Sequence, residues 1–255
     1  MSDLVTLTHD NAISTMTINR ADARNALSID LLDEMHRAID ELANTDTHVL
    51  VLTGSGKAFC AGMDLKAVLI ELSGDETLGE QLLTSLARFT LKLRALPKVV
   101  IASVNGAAVG GGCGLTCVCD VTISHTEAKL GFPEVDLGLC PAVIAPWVVR
   151  KLGPSVARRA MLMGGVMSGV EAHSIGLVDH LAPSREELGT LTDTVAQRLA
   201  SGGPKALGTT KDLLNTLDGS LDESQLLRAA QLSASVLRTP EAQAALGARM
   251  NHTKG

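Results

Sequence analysis

The chain has 255 residues, of which 45% are hydrophobic and only 2% aromatic, so it can form one large domain with a mostly aliphatic core. Its net charge of −6, without any run of lysine or arginine, excludes the usual electrostatic footprint of a nucleic-acid-binding protein. The odd number of cysteines, five, lacks the spacing of a disulfide framework and indicates a reducing, cytoplasmic environment.

No targeting segment, membrane span or metal site is predicted. The N-terminus lacks the basic and apolar regions of a signal peptide, and the longest apolar runs have only the length of strands. Cys113, Cys117 and Cys119 lie close together in sequence, but no histidine stands at ligand spacing from them. We therefore expect buried, unligated thiols.

The N-terminal half alternates between strand-like and helix-like patterns. Residues 4–18 are predicted to form two short strands around a turn at His9, Asp10 and Asn11. Residues 29–43 have apolar side chains at helical spacing, with Ser28 as the N-cap. Three later runs are apolar and rich in β-branched residues, as in strands buried on both faces. These runs cover residues 48–52, 98–104 and 120–124.

Helical patterns dominate after about residue 154, where the only strand-like run is a short one at 177–181. The helical patterns cover residues 155–163, 185–200, 204–217, 221–237 and 240–250. Strands that are separated by helices indicate crossover connections and a mostly parallel sheet. The predicted architecture is an α/β core followed by a helical C-terminal region.

The segment from Val104 to Gly114 is unusually rich in glycine, follows a predicted buried strand and precedes a helical pattern. Such a turn places the unpaired N–H groups of a helix start where negative charge can develop. The glycines also mimic a dinucleotide fingerprint, but the short-chain dehydrogenases that carry it use a catalytic tyrosine, and this sequence contains none. Neither a P-loop nor the elbow of a serine hydrolase is present. Close packing of the helix on the sheet remains an alternative explanation.

Further motifs occur in the same chain, in a definite order. They are Asn19–Leu27, Lys57–Leu65, Val104–Gly112, Cys119–Asp120 and Gly131–Gly138. Over residues 13–180 these motifs resemble the crotonase superfamily of enoyl-CoA hydratases and isomerases. The resemblance implies a crotonase spiral of ββα units for residues 1–195 and a helical trimerisation region for residues 196–255. It further implies a homotrimer or homohexamer, an acyl-CoA thioester as substrate, and no cofactor beyond the CoA moiety of that substrate.

The resemblance also assigns an oxyanion hole, which holds the enolate oxygen through two backbone N–H groups. Met63, which follows Ala61 and Gly62, matches the first donor, and Gly111 matches the second. One preorganised donor of this kind typically contributes about 10²–10³ in rate. Because the donors belong to the backbone, the methionine side chain at residue 63 is no obstacle.

The CoA moiety is expected to lie along the first two motifs. Ala61 and Asp64 match positions that line it, as does Leu65. Arg24 and Lys66 are the expected cations for its phosphate groups, and Lys57 is a weaker third candidate.

The resemblance assigns the acid/base role to Glu134, whose pKa should be raised by the apolar residues around it. Hydratases of the family generally carry a second glutamate, but this sequence has Gly114 at that position. Asp136 is a candidate replacement acid, because it would share a face with Glu134 if the segment were extended. Cys140 is a candidate for the border of the acyl pocket, but we favour the alternative that it is a buried, inert thiol.

The missing glutamate leaves three functions open. Hydration ordinarily needs both a base and an acid, whereas a double-bond shift needs one base that takes and returns a proton. Residues 138–153 resemble the branch that includes methylglutaconyl-CoA hydratases, whose members can also lack the first glutamate. We therefore predict a hydratase of fatty-acid or branched-chain acyl-CoA breakdown, with an isomerase or a weakly active acyl-CoA-binding protein as alternatives.

Overall fold

The computed structural model describes residues 4–64 and 78–252, and for residues 249–252 it describes the backbone alone. The predicted CoA-binding residues Leu65 and Lys66 therefore lie outside the described residues.

The described chain is an α/β structure of two sheets and surrounding helices. The strands are β1 (Val5–Asp10), β2 (Ile13–Ile18), β3 (Val49–Gly54), β4 (Ala58–Cys60), β5 (Val99–Val104), β6 (Ala107–Val109), β7 (Val121–His125), β8 (Lys129–Gly131), β9 (Val166–Ser168) and β10 (His180–Ala182). The helices are α1 (Ile29–Ala43), α2 (Leu78–Ala95), α3 (Gly111–Val118), α4 (Ala145–Leu162), α5 (Gly169–Ser174), α6 (Leu188–Ala200), α7 (Pro204–Asp218), α8 (Glu223–Leu237) and α9 (Pro240–His252).

The larger sheet has the strand order β1-β2-β3-β5-β7-β10 among the described residues. Apart from the antiparallel pair of β1 and β2, its strands are parallel, which confirms the predicted parallel sheet. The hairpin turns at Asn11, whose φ of 52° lies in the left-handed region, so β1 extends through Asp10, which the sequence analysis had placed in the turn. Every residue of β5 is buried, as expected of a central strand covered on both faces.

Helix α1 begins and ends where its sequence pattern predicts. The Ser28 side chain accepts a hydrogen bond from the Leu31 N–H, so it caps the helix as expected. The apolar face of α1 is buried in the main hydrophobic core. Its buried side chains include Leu31, Leu32, Met35, Ile39 and Leu42.

The second sheet, in the order β4-β6-β8-β9, was not predicted. Each of its strands has only three residues, which is too short for an alternating pattern to be recognised. Helix α2 was not singled out either, although its buried residues Leu82, Leu86, Phe89 and Leu93 recur at helical spacing. These elements carry much of the site described below.

The C-terminal helices pack on the same core. Leu226, Ala230, Ala234 and Leu237 of α8 belong to the main hydrophobic cluster. Helix α4 starts ten residues earlier than predicted and is interrupted at Gly153, which has a φ of 72°. Of the predicted strand at 177–181, only its end is retained in β10. Within the described ranges, no helix is both long and apolar enough to cross a bilayer.

Candidate active site

Three neighbouring strands of the smaller sheet converge on one site. Strands β4, β6 and β8 are parallel and adjacent, with Cys60 opposite Ala108 and Val109 opposite Gly131. The carboxyl ends of adjacent parallel strands meet at one edge of a sheet, where open α/β sheets bind their ligands. The segments that leave this edge contain Met63, Gly111 and Glu134, so the fold brings together the residues predicted for the chemistry.

The two predicted oxyanion donors lie on touching segments. A Cβ atom built on Gly62 would be 2.7 Å from Val109 O and 3.4 Å from Gly111 N, so only glycine permits this approach. Gly62 also has a φ of 86°, which favours glycine. Hydrogen bonds between Leu27 N and Gly62 O (2.7 Å) and between Asp64 N and Leu27 O (2.9 Å) fix the segment on both sides of Met63.

Both candidate N–H groups are available to a ligand. Gly111 is the first residue of α3, so its N–H has no partner within the helix. In the described part of the chain, neither Met63 N nor Gly111 N donates a hydrogen bond to another group. A negatively charged oxygen placed between these groups would also benefit from the dipole of α3.

Glu134 follows β8 and lies against the glycine-rich turn. A Cβ atom on Gly110 would be 2.7 Å from the Glu134 Oε1 atom, so the absence of a side chain at Gly110 makes room for the carboxyl group. The Oε2 atom is buried and has no hydrogen-bond partner among the described residues. The pKa of Glu134 is raised to about 7, mainly by burial; the backbone N–H of Glu134 opposes this rise, and the nearby charge of Asp136 adds a smaller contribution to it. The predicted rise is confirmed.

The carboxylate of Asp136 has its hydrogen-bond partner outside the cavity that Glu134 lines. Residues Val135–Leu137 form a 3-10 turn. The expected extended conformation, which would have placed Asp136 on the same face as Glu134, is therefore wrong. The Asp136 carboxylate is exposed and accepts a hydrogen bond from Gly165 N at 2.8 Å. It is not among the described residues that line the cavity next to Glu134. These contacts give Asp136 a structural partner in the turn before β9.

Ile144 fills the space beside Gly114. A Cβ atom on Gly114 would be 2.2 Å from Ile144 Cγ2 and 2.6 Å from Ile144 Cβ. Both residues are buried, so the backbone at Gly114 leaves no room for a side chain while Ile144 keeps its place. The position that the resemblance assigns to a second glutamate is therefore occupied by an aliphatic side chain.

An apolar cavity of about 110 Å³ lies between the donor pair and Glu134 on one side and helices α2 and α8 on the other. Its lining comes from five regions of the described chain and is mainly aliphatic. The lining residues are Ala61, Gly62, Met63, Leu83, Leu86, Val109, Gly110, Gly111, Pro133, Glu134, Leu137, Leu139, Cys140, Pro141, Val143, Ile144, Ser233 and Leu237. The sequence analysis identified the catalytic side of this cavity and named Cys140 as a candidate for its border, but missed the walls from α2 and α8.

The predicted CoA-binding residues occupy two different environments. Arg24 is exposed and has a φ of 53°, and its carbonyl accepts a hydrogen bond from Ala61 N (3.0 Å). Within the described ranges its guanidinium has no ion-pair or hydrogen-bond partner. The carboxylate of Asp64, in contrast, forms a 2.7 Å ion pair with Arg20, a residue to which the sequence analysis gave no role.

The cysteines are buried as expected, except for the half-buried Cys140. Burial raises the pKa of Cys60, Cys117 and Cys119 to about 12, which keeps these thiols protonated. In the part of the chain that the structure describes, no three histidine, cysteine or acidic residues are grouped to hold a metal ion.

Comparison with known proteins gives one consistent family. The sequence model of the family described as enoyl-CoA hydratase/isomerase matches residues 8–250. An enoyl-CoA hydratase of Alternaria alternata is 36% identical over 213 residues, which cover 83% of this chain and 70% of that protein. A crystal structure of an enoyl-CoA hydratase/isomerase from Marinobacter aquaeolei has a TM-score of 0.80 and 33% identity, covering 98% of this chain and 97% of that one.

A more distant structure shows the same fold. The crystal structure of an enoyl-CoA hydratase from Bacillus halodurans has a TM-score of 0.88, with 24% identity, and covers 96% of this chain and 99% of that one. The α/β spiral expected from the motifs is thus confirmed. The chain belongs to the enoyl-CoA hydratase/isomerase family and has the crotonase fold.

Proposed function

We propose that this chain is an enoyl-CoA hydratase that uses Glu134 as its single acid/base. One observation carries the proposal: a buried carboxyl group with a pKa of about 7 lines an aliphatic cavity together with two backbone N–H groups that have no hydrogen-bond partner among the described residues. A carboxyl group near neutrality can both accept and donate a proton at physiological pH. The N–H pair supplies the charge stabilisation that an enolate needs.

The proposed oxyanion hole consists of Met63 N and Gly111 N. The thioester oxygen gains negative charge when the double bond reacts, and donors fixed in the backbone stabilise that charge without rearranging. Gly62, the residue before the first donor, packs closely against Gly111, which carries the second. Ala61 and the Met63 side chain border the same cavity, where they would contact the thioester.

One carboxyl group is sufficient for hydration if both new bonds form on the same face. The Glu134 carboxylate accepts a proton from water while the water oxygen bonds to Cβ and the electrons of the double bond move onto the thioester oxygen. The protonated Glu134 then donates that proton to Cα as the carbonyl reforms. The sum is addition of one water molecule, and Glu134 returns to its carboxylate form.

Isomerisation is a second candidate, and the contact between Gly114 and Ile144 favours it. Since Ile144 fills the space of a second acid, no other carboxyl group among the described residues lines the cavity. A shift of the double bond needs only that Glu134 remove a proton at one carbon and return it two carbons away. The weakly active acyl-CoA-binding protein is the remaining alternative.

For the CoA moiety we propose contacts with Arg24, Asp64, Leu65 and Lys66. The exposed guanidinium of Arg24 supports a role in phosphate binding, and its backbone is joined to the donor segment through Ala61. For Asp64 the ion pair with Arg20 supports an indirect role, in which it holds the motif in place.

The assembly and setting are proposed on the resemblance. We propose a homotrimer or homohexamer in the cytoplasm, acting in fatty-acid or branched-chain acyl-CoA breakdown. Exposed apolar side chains on α5 and α7, and at and just after the C-terminal end of α4, are consistent with subunit contacts. They include Leu162, Met163, Val170, Leu213 and Leu217.

The purified chain should be assayed with crotonyl-CoA for hydration and with 3-hexenoyl-CoA for isomerisation, each with Glu134→Gln as the control. Faster turnover of crotonyl-CoA supports the hydratase, and faster turnover of 3-hexenoyl-CoA supports the isomerase. Binding of butyryl-CoA without turnover of either substrate supports the binding protein. If no acyl-CoA binds, the whole proposal is wrong.

A further inference from the structure

The lining of the cavity includes two residues of α8. Ser233 and Leu237 lie one helical turn apart, and both are buried. The Ser233 hydroxyl donates to Cys140 O at 2.7 Å and accepts from Ala142 N at 3.0 Å. Both hydrogen bonds connect α8 to the loop around Pro141. The Ser233 hydroxyl already acts as donor and as acceptor, so its proton is not available to a ligand.

The described lining of the cavity has no cation that could bind a second acidic group. Among its described residues there is no lysine, arginine or histidine, and the ionisable side chains are Glu134 and the thiol of Cys140. Residues 65–77 lie outside the described residues, and Lys66 is the one lysine or arginine in their sequence; the proposed function assigns it to the phosphates of CoA. The remaining side chains that face the cavity are mostly leucine, valine and isoleucine.

We propose that the cavity selects an uncharged aliphatic acyl chain, and that Leu237 of α8 limits how long this chain can be. The proposal rests on the proposed function only in that the ligand is an acyl-CoA thioester. It deepens that function by excluding acyl groups that end in a carboxylate. It also gives α8, which lies in the predicted trimerisation region, a part in substrate selection.

The reason for the exclusion is electrostatic. A carboxylate at the end of the acyl chain would leave water without a cation among the described lining residues to replace its hydration, because the two unpaired N–H groups there, Met63 N and Gly111 N, would already bind the thioester oxygen. Such a transfer is strongly unfavourable. It would also approach the carboxyl group of Glu134 and disfavour the ionised form that the reaction needs. An aliphatic end instead gains contact with Leu83, Leu86 and Leu237.

The reason for the length limit is packing. Leu237 is 2% exposed, and its Cδ2 atom would be 2.8 Å from a Cβ atom on Gly79, so α2 and α8 are in close contact there. The Leu237 side chain cannot move outward without opening that contact. Its truncation would extend the cavity along the gap between the two helices.

The first test compares 2-hexenoyl-CoA with glutaconyl-CoA, whose acyl chain has similar length but ends in a carboxylate. We expect kcat/KM for glutaconyl-CoA to be at least about 100-fold lower. Dissociation constants of the unreactive hexanoyl-CoA and glutaryl-CoA, measured by calorimetry, should show the same preference. Comparable values for the charged and uncharged members of both pairs would overturn the charge part of the proposal.

The second test uses Leu237→Ala with Leu226→Ala as its matched control. Leu226 is a buried leucine of the same helix but does not line the cavity. In Leu237→Ala the ratio of kcat/KM for 2-octenoyl-CoA to that for crotonyl-CoA should rise about tenfold. Leu226→Ala should lose stability similarly and leave the ratio as in the wild type. Equal ratios in the two variants would contradict a role for Leu237 in chain length.

The two proposals can fail separately. If neither 2-enoyl-CoA nor 3-enoyl-CoA substrates are turned over, the proposed function is wrong. The dissociation constants of butyryl-, hexanoyl-, octanoyl- and glutaryl-CoA would still test whether the cavity prefers an uncharged acyl chain of limited length. If turnover is rapid and glutaconyl-CoA reacts as well as 2-hexenoyl-CoA, the proposed function stands and the selectivity is wrong.

Discussion

Replacing Glu134 with glutamine should abolish most of the activity while preserving the shape of the site. The amide has the same size as the carboxyl group, so it fits against Gly110, where a Cβ atom would be 2.7 Å from Oε1. It cannot take up or release the proton that the reaction moves. A general acid/base contributes about 10²–10⁴ in rate. Because no other carboxyl group of the described residues lines the cavity, we expect a loss near the upper end, about 10³–10⁴ in kcat.

The assay should separate chemistry from binding. Turnover of crotonyl-CoA and of 3-hexenoyl-CoA is followed by the absorbance of the conjugated thioester, and binding of butyryl-CoA is followed by calorimetry. Glu134→Gln should bind butyryl-CoA within about threefold of the wild type, since the cavity keeps its volume. Asp136→Asn is the matched control, because the Asp136 carboxylate contacts Gly165 outside the cavity; it should retain most of the activity. Turnover by Glu134→Gln within threefold of the wild type would refute the mechanism.

Three further results are expected. If the carboxylate form of Glu134 is the reactive base, kcat/KM should fall about tenfold per pH unit below a pKa of about 7, and a profile that stays flat down to pH 5 would contradict this. The same raised pKa means that the folded state holds a proton on Glu134 more tightly than the unfolded state does, so the free energy of unfolding falls as pH rises from about 4.5 to about 7. Glu134→Gln should therefore increase the free energy of unfolding by about 3 kcal/mol at pH 8 and change it little at pH 4. Urea denaturation at both pH values measures the difference. Gly114→Ala should lower the free energy of unfolding by about 1–3 kcal/mol, because its Cβ atom would overlap with Ile144. Adding Ile144→Ala should lower the free energy of unfolding less in the Gly114→Ala variant than in the wild type. Strictly additive changes in urea unfolding would argue against the overlap.

The residues of the site that sequence reasoning found are those with local signatures. Met63, Gly111 and Glu134 each lie within a distinctive motif, and the resemblance that these motifs carry implies their roles. The rise in the pKa of Glu134 could be expected because Phe132, Pro133 and Leu137 stand next to it in sequence. Helix α1 was predicted accurately since its apolar spacing and cap lie within one short segment.

The remaining parts depend on contacts between residues that are distant in sequence. Ile144 fills the space at Gly114 from thirty positions away, and Ser233 reaches the loop around Pro141 from about ninety. Neither residue type marks a function by itself, because buried isoleucine and helical serine are common. Asp136 shows the reverse case, where a plausible spacing failed because the segment is a 3-10 turn rather than an extended strand. No local pattern encodes these packing relations.

The most direct test of the oxyanion hole is a crystal structure of the protein with acetoacetyl-CoA bound. Its thioester oxygen should lie about 2.7–3.1 Å from both Met63 N and Gly111 N. The acyl carbons should lie in the apolar cavity, with the Glu134 carboxyl group beside the reacting carbons. A thioester oxygen that contacts neither backbone N–H group, in a complex with the acyl chain bound in this cavity, would contradict the central claim.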